Sequence, residues 1–221
     1  MRKKFNFQWV KRGLLIVALL LLALFAFYQF WFLRQPARII PVDSLAFISP
    51  ANGKIAAVEP WDADQIEWEK DAGIVQVMTQ DVGTKGWLIA IEMNVMNVHY
   101  QRAPMPGRFL KKEYTKGKFN NALIKTNRFG LRLENERNDL LFETATGMRY
   151  KVVQVAGLLA RRIEDYLNPG QEVATGEVIG LIKMGSQVAL ILPENTEPLV
   201  KPGDKVVDGE SILATIKLPS E

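Results

Sequence analysis

Hydrophobic and polar positions divide the chain into two unequal regimes. Residues 13–33 run for 21 positions without a charge, long enough to cross a bilayer core of about 30 Å as one helix. Tyr28, Phe30, Trp31 and Phe32 close the stretch, as aromatic side chains do at a membrane interface. A cleaved signal peptide would have a shorter apolar region ending in small residues. This one ends in bulky aromatics, so the pattern predicts a retained anchor at 13–33 behind a basic tail at 1–12. Arg2, Lys3, Lys4, Lys11 and Arg12 precede the anchor, which favours a cytoplasmic N-terminus with the remaining chain on the opposite side.

Beyond residue 34 the pattern changes to short apolar runs separated by Gly, Pro and Asn. Pro36 and Pro41 prevent the anchor helix from continuing. Runs at 46–49, 54–58, 73–78, 87–91, 140–144, 149–155 and 188–192 read as strands. The best short helical candidate is 156–166. One pattern occurs twice: Pro169, Gly170, Val173, Gly176, Glu177 and Ile179 are echoed by Pro202, Gly203, Val206, Gly209, Glu210 and Ile212. Each copy places turn-forming glycines around a short strand, in the manner of half-units of the barrel-sandwich domains that carry biotin or lipoate. Such a carrier presents a lysine beside methionine on a hairpin tip. Lys183-Met184 is a poor imitation of it, so the repeat reads as architecture. The expected fold is mainly β (a β-rich α+β domain), with a barrel-sandwich-like C-terminal half and one N-terminal transmembrane helix.

Composition narrows the chemistry. In 221 residues there is no cysteine and one histidine, which excludes disulfides, a thiol nucleophile and a multi-histidine metal centre. No carboxylate cluster suggests a metal site, so none is expected. About 180 residues follow the anchor, room for one domain with a real core. A net charge of +4 does not call for a nucleic-acid partner and suits a protein working beside anionic lipid. Arg108, Lys111, Lys112, Lys116, Lys118, Lys125 and Arg128 form a basic stretch. It reads equally as a solvated hairpin face or as a surface drawn to anionic headgroups.

Against this background the dipeptide Gly185-Ser186, between two apolar runs, is either an ordinary turn or a reactive bond. Motifs elsewhere in the chain decide how it is read. They are Phe32-Leu33-Arg34-Gln35-Pro36-Ala37-Arg38, Ser49-Pro50-Ala51-Asn52-Gly53-Lys54, Val98-His99-Tyr100-Gln101-Arg102-Ala103-Pro104 and Asn135-Glu136-Arg137-Asn138. The segments 153–163 and 176–188 complete the set. In order and spacing, from residue 32 to about 193, they resemble the short, archaeal-type phosphatidylserine decarboxylases.

The resemblance implies a catalytic domain at 34–221 that cleaves itself between Gly185 and Ser186. Ser186 would become a pyruvoyl group, the only cofactor. Its carbonyl would form a Schiff base with the substrate amine and take up electrons as carbon dioxide leaves. A glycine before the serine removes side-chain crowding from the attacked carbonyl. His99, the only imidazole, is expected to deprotonate Ser186 during cleavage and to protonate the substrate carbanion later. Where the family pattern has an aspartate that orients this histidine, the chain has Asn52. An amide can hold an imidazole but does not stabilise imidazolium, and the analogous change in serine proteases costs about four orders of magnitude in rate. Asp43 and Glu92 are the nearby carboxylates that would substitute. Ala189 is a second departure, at a position where the family often has an acid.

Arg102, Arg161 and Arg162 are candidate ligands for the substrate phosphate; pairing of Arg161 or Arg162 with Glu134 or Glu136 is the structural alternative. The implied partner is a phospholipid in the membrane, with a homo-oligomer left open. Family members are expected at the inner membrane face, opposite to the side that the basic tail favours. The competing function is an unprocessed, non-catalytic membrane-anchored module of the same fold.

Overall fold

The computed structural model describes residues 7–64, 72–117, 129–132, 134–157, 162–183 and 186–218. Helix α1 (Phe7–Ala26) passes directly into a π-helical turn, Phe27–Phe32. The apolar window of the Gln8–Phe32 span has no buried residue. A helix that is apolar all round and uncovered by protein is suited to lipid, and this one has the length to cross it. Leu33 N–H donates to the Tyr28 carbonyl at 3.1 Å, the wider i to i−5 closure of a π turn.

The rest is built on one antiparallel sheet of eight strands. Their order is β13 (Lys205–Val206), β2 (Gly53–Asp62), β3 (Lys85–Glu92), β11 (Ser186–Pro193), β7 (Arg149–Ala156), β6 (Arg137–Glu143), β5 (Gly107–Thr115) and β9 (Glu172–Val173). Two three-stranded sheets accompany it: β1 (Ala46–Ile48), β14 (Ile212–Ile216) and β12 (Thr196–Pro198); and β4 (Tyr100–Arg102), β10 (Val178–Lys183) and β8 (Arg162–Asp165). Phe47, Leu213, Ile179 and Ile182 of the small sheets join Ile89, Ile91, Phe142, Val152, Val188 and Leu190 of the large one in a single core. On the other face, Ala189 and Ile191 pack with Leu88, Val153 and the Val75 and Met78 side chains of α2 (Ala72–Thr79). Strand β11 is therefore covered on both faces. That is why 188–192 is a continuous apolar run rather than an alternating one.

The repeat has a structural counterpart. Gly170 and Gly203 both have positive φ, as do Gly176 and Gly209. The first copy supplies β9 to one edge of the large sheet and the second supplies β13 to the other. The strands that follow, β10 and β14, are each the centre of a small sheet. Ile48 N–H donates to the Pro104 carbonyl and Arg102 N–H to the Pro50 carbonyl, each at 2.9 Å. The segments around 48–50 and 102–104 thus exchange equivalent bonds. Ile40, from the linker after the anchor, lies over both copies. A Cβ on Gly176 would meet its Cδ1 at 2.3 Å, and one on Gly209 at 3.2 Å. Glycine at these two turns answers both the positive φ and the close packing.

Two sequence expectations need correction. Residues 73–78 form helix α2, not a strand. Val75, Met78 and Thr79 are buried at helical spacing, and a short run containing β-branched residues does not reveal its period by composition alone. The helical candidate 156–166 instead ends β7 and supplies β8, which pairs with β10 from Ile163↔Ile182 to Asp165↔Gly180; residues 158–161 lie outside the described residues.

A buried ionic cluster holds linker, repeat and small sheets together. Asp208 is fully buried and accepts from Arg102 Nε at 2.9 Å and from the Arg38 guanidinium. Arg102 also donates through Nη1 to the Gly176 carbonyl at 2.8 Å and through Nη2 to the Pro36 carbonyl at 3.3 Å. Asp208→Ala would leave two arginines with no buried counter-charge. A loss of about 3–5 kcal/mol is expected, read as a lower unfolding midpoint with new protease sensitivity around residues 34–40.

Candidate active site

The turn after β3 delivers His99. Asn94 N–H donates to Asn97 Oδ1 at 2.7 Å and Met96 N–H to Asn94 Oδ1 at 2.9 Å, local bonds that Asn favours over regular structure. Asn97 Nδ2 then donates to Asn52 Oδ1 at 2.6 Å. Asn52 is thereby joined to the turn two residues before His99, and its oxygen is engaged by Asn97 rather than by the imidazole. Neither carboxylate considered as a substitute is hydrogen-bonded to a His99 ring nitrogen. Asp43 Oδ1 accepts from Leu45 N–H, while Glu92 ends β3 opposite Lys54 and Gln187.

The His99 ring is fully buried and stacks on Phe32, with centroids 4.0 Å apart and planes 28° apart. Neither ring nitrogen has a hydrogen-bond partner among the described residues. Burial lowers its pKa from 6.5 to about 4; the nearby Asn97 backbone opposes the shift and the Arg34 charge adds to it. At neutral pH the imidazole is an uncharged base.

The backbone of His99 is tied to the strand that leads to Ser186. Its carbonyl accepts from Ile182 N–H at 3.2 Å and from Gln101 Nε2 at 2.6 Å. Ile182 lies in β10 and Ser186 opens β11, so the chain changes sheets between Lys183 and Ser186. Met184, Gly185 and the Ser186 side chain lie outside the described residues. The Ser186 backbone is opposite Ala156 of β7, whose carbonyl accepts from Asn135 Nδ2 at 2.7 Å. The next residue, Gln187, is fixed by its own side chain: Nε2 donates to the Gly130 carbonyl at 2.7 Å and Oε1 accepts from Arg132 N–H at 2.9 Å. The predicted scissile position therefore begins a strand anchored on both sides.

Sequence reasoning missed a chain of buried amides behind His99. Gln101 Oε1 accepts from Gln154 Nε2 at 2.8 Å, and Gln154 Oε1 accepts from Asn138 Nδ2 at 3.1 Å. Asn138 Nδ2 also reaches Asp165, which pairs with Lys112 at 2.8 Å. Gln154 sits among apolar residues of β7, and that position was the available signal, since a buried amide needs partners.

Other candidates are distributed differently. Arg102 belongs to the Asp208 cluster and has protein acceptors for its Nε, Nη1 and Nη2 atoms. Arg162 lies opposite Lys183 in the β8–β10 pair; its side chain and the whole of Arg161 lie outside the described residues. In the basic stretch, Arg108, Lys111 and Lys112 pair with Glu143, Asp81 and Asp165, whereas Lys118, Lys125 and Arg128 lie outside the described residues. No group of three or more metal-ligating side chains is found among the described residues.

Comparison with known proteins adds to this geometry. A family model described as Phosphatidylserine decarboxylase matches residues 25–214. The chain is 36% identical over 213 residues to the phosphatidylserine decarboxylase proenzyme of Geobacter sp. (strain M21), covering 95% of this chain and 86% of that one. It is 40% identical over 190 residues to the proenzyme of Desulfotalea psychrophila, covering 86% and 79%. With the proenzyme of Chlorobaculum parvum it shares 37% over 193 residues, covering 87% and 80%.

The lowered pKa of His99 makes a prediction about stability. Between about pH 4 and 6.5 the unfolded chain binds a proton there that the folded chain does not, so this contribution rises with pH through that window. It is fully present above about pH 6.5 and lost on acidification to about pH 4, at about 1.4 kcal/mol per pH unit. Chemical unfolding of the full chain in detergent, compared with His99→Phe, should isolate this slope. Equal pH dependence in the two proteins would contradict it.

Proposed function

The chain belongs to the phosphatidylserine decarboxylase family, and on that premise we propose that it is a self-cleaving proenzyme. After cutting the Gly185-Ser186 bond it decarboxylates phosphatidylserine to phosphatidylethanolamine, a step of phospholipid synthesis. The observation that carries this reading is the buried, uncharged His99, bonded through its carbonyl to the strand four residues before Ser186.

In maturation His99 accepts the Ser186 hydroxyl proton as Oγ attacks the Gly185 carbonyl carbon. The C–N bond breaks, the serine nitrogen takes up a proton, and an ester joins the two parts. Loss of the Ser186 Cα proton and of the Gly185 carboxylate leaves a dehydroalanine. Water then adds and ammonia departs, giving the pyruvoyl group at residue 186. The site fits such a group: the Ser186 backbone is fixed by its pairing with β7 and by the Gln187 clamp, and the strand leading to it is hydrogen-bonded to the backbone of His99, whose ring nitrogens have no partner among the described residues. When formed, the pyruvoyl group supplies an electrophilic carbonyl that takes up the electron pair released with carbon dioxide. His99 holds the proton that returns to the substrate carbon. We assign Arg161 and Arg162 to the lipid phosphate, and Arg102 to the frame, given its three protein acceptors. The Gln8–Phe32 helix acts as a single-pass anchor in the cell membrane, which suits a substrate that stays in the bilayer.

A second reading, an unprocessed module of the same fold, is favoured by one observation: the Asn52 oxygen is engaged by Asn97. The denatured mass separates the two. Cleavage releases a 36-residue chain running from residue 186 to Glu221, blocked to Edman degradation, and Ser186→Ala abolishes it; a single intact wild-type chain would exclude the decarboxylase.

Asn52→Asp keeps the acceptor for Asn97 and adds a negative charge beside the His99 turn. Self-cleavage, followed by gel, should accelerate by about ten-fold or more, a fraction of what a relay carboxylate contributes in serine proteases. An unchanged rate would remove position 52 from the relay.

A further inference from the structure

The anchor does not end beside the domain; it ends inside the site. Tyr28 and Phe32, four residues apart on the π turn, stack with centroids 5.5 Å apart and planes 13° apart. The stack continues onto His99 at 4.0 Å. Phe32 is 1% exposed while its neighbours Phe30 and Trp31 are 81% and 44% exposed. Phe32 is the one fully buried aromatic of this end among the described residues, with the half-buried Tyr28 stacked on it. Arg34 locks the arrangement from the outside. Its Nη2 donates to the Met96 carbonyl at 2.6 Å and its Nη1 to the Trp31 carbonyl at 2.7 Å, with the guanidinium 4.4 Å from the centre of the Trp31 ring. One side chain thus clamps the end of the anchor to the turn that carries His99.

We propose that Phe32 is a positioning residue for His99. The last inward-facing aromatic of the anchor covers the imidazole face, excludes water from it and fixes the ring plane beside the strand leading to Ser186. The inference rests on the proposed self-cleavage for its functional consequence, but not for its physical one. Stacking restricts rotation of the ring about its side-chain bonds. An apolar cover also keeps the uncharged form favoured. Arg34, from the linker, is the charged group that acts on His99 in the same direction. Neither nitrogen has a well-formed hydrogen bond to a described residue, and the Asn97 backbone is only a weak partner. Packing therefore carries most of the orientation, and displacements of about 1 Å in a reacting group cost on the order of a hundred-fold in rate. The membrane segment then contributes to the geometry of the base as well as to location.

The single histidine makes the test direct, because every imidazole signal belongs to residue 99. The probe is the full chain carrying Ser186→Ala, labelled with 13C-histidine, in detergent micelles and titrated by NMR. Phe32→Ala should raise the midpoint by about one pH unit or more as water reaches the ring. Phe32→Leu, which keeps an apolar cover, should stay near the parent. With Ser186 restored, Phe32→Ala should slow self-cleavage at pH 7 by about ten-fold or more, with partial recovery in Phe32→Leu. A Phe32→Ala midpoint equal to the parent's overturns the proposal, as does a lowered melting temperature without a shift in titration, because a purely structural role predicts that pattern. If the wild-type chain never cleaves, the proposed function fails, while the titration still decides the role of Phe32.

Discussion

One buried carboxylate organises the geometry of this molecule. Asp208 has no contact with solvent and is met by arginines from two segments distant in sequence, Arg38 and Arg102. Two cations around one anion offset the cost that an isolated buried charge would carry. The remaining guanidinium donors of Arg102 reach Gly176 and Pro36, so the same cluster joins both copies of the repeat to the chain leaving the anchor. Arg38 is only six residues beyond Phe32, and Arg102 only three beyond His99. The stacked pair Phe32–His99 is thus held from behind by a rigid ionic node. Without that node, the two rings would be joined only through their own contact and the Arg34 clamp.

The node also explains what was legible in the sequence. The repeat could be read as architecture because its glycines, at 170, 176, 203 and 209, answer a local backbone demand, positive φ, which leaves a residue-type signature. The runs at 87–91 and 188–192 were legible as strands because a sheet covered on both faces needs apolar residues at nearly every position, and 149–155 by its valines and tyrosine despite Arg149, Lys151 and Gln154. The same rule misread 73–78. Ile74, Val75, Val77 and Met78 are as apolar as a strand, and only the burial of Val75, Met78 and Thr79 on one side reveals a helix. The segment 162–165 was misread for the opposite reason: it joins a small sheet as one of its outer strands, and with one apolar residue in four it carries no alternation to read. Pairing of β9 and β13 to opposite edges of the large sheet depends on contacts between residues more than fifty positions apart, which no local pattern encodes.

Legibility of the site follows the same division. Residues proposed to take part in chemistry as types, a lone histidine and a serine after glycine, stood out because few alternatives exist in a chain with one imidazole and no thiol. Residues that act by position did not. Phe32 looked like one more aromatic of an interfacial belt, Gln154 looked like an ordinary polar position of a strand, and Gln101 and Asn138 stood only as members of motifs, with no role read for either. Their roles depend on partners: Gln154 bridges Gln101 and Asn138 across two strands, and Phe32 matters because its ring faces inward. Arg102 shows the converse, since a residue marked by its motif for a phosphate has its guanidinium engaged by Asp208 and two carbonyls.

These observations bear on how an imidazole can be directed without a carboxylate. In an Asp–His–Ser relay the acid fixes the tautomer and stabilises imidazolium. Here the chain carries Asn52, and its oxygen is engaged by Asn97. The work of orientation is divided differently. The amide chain from Gln101 to Asp165 fixes the main chain of His99 through its carbonyl, and the ring stack from Tyr28 to Phe32 constrains the side chain. Burial dominates, the Arg34 charge adds to it, and the pKa falls to about 4. In the proposed reaction such a base is fully available at neutral pH but is a weak proton acceptor, and its conjugate acid returns the proton readily. This balance suits a maturation that each molecule completes once, followed by a turnover whose last chemical need is a proton given back to carbon. On the proposed reading, Asn52 and the aromatic cover on His99 are two parts of one arrangement, in which packing does what charge does in a relay.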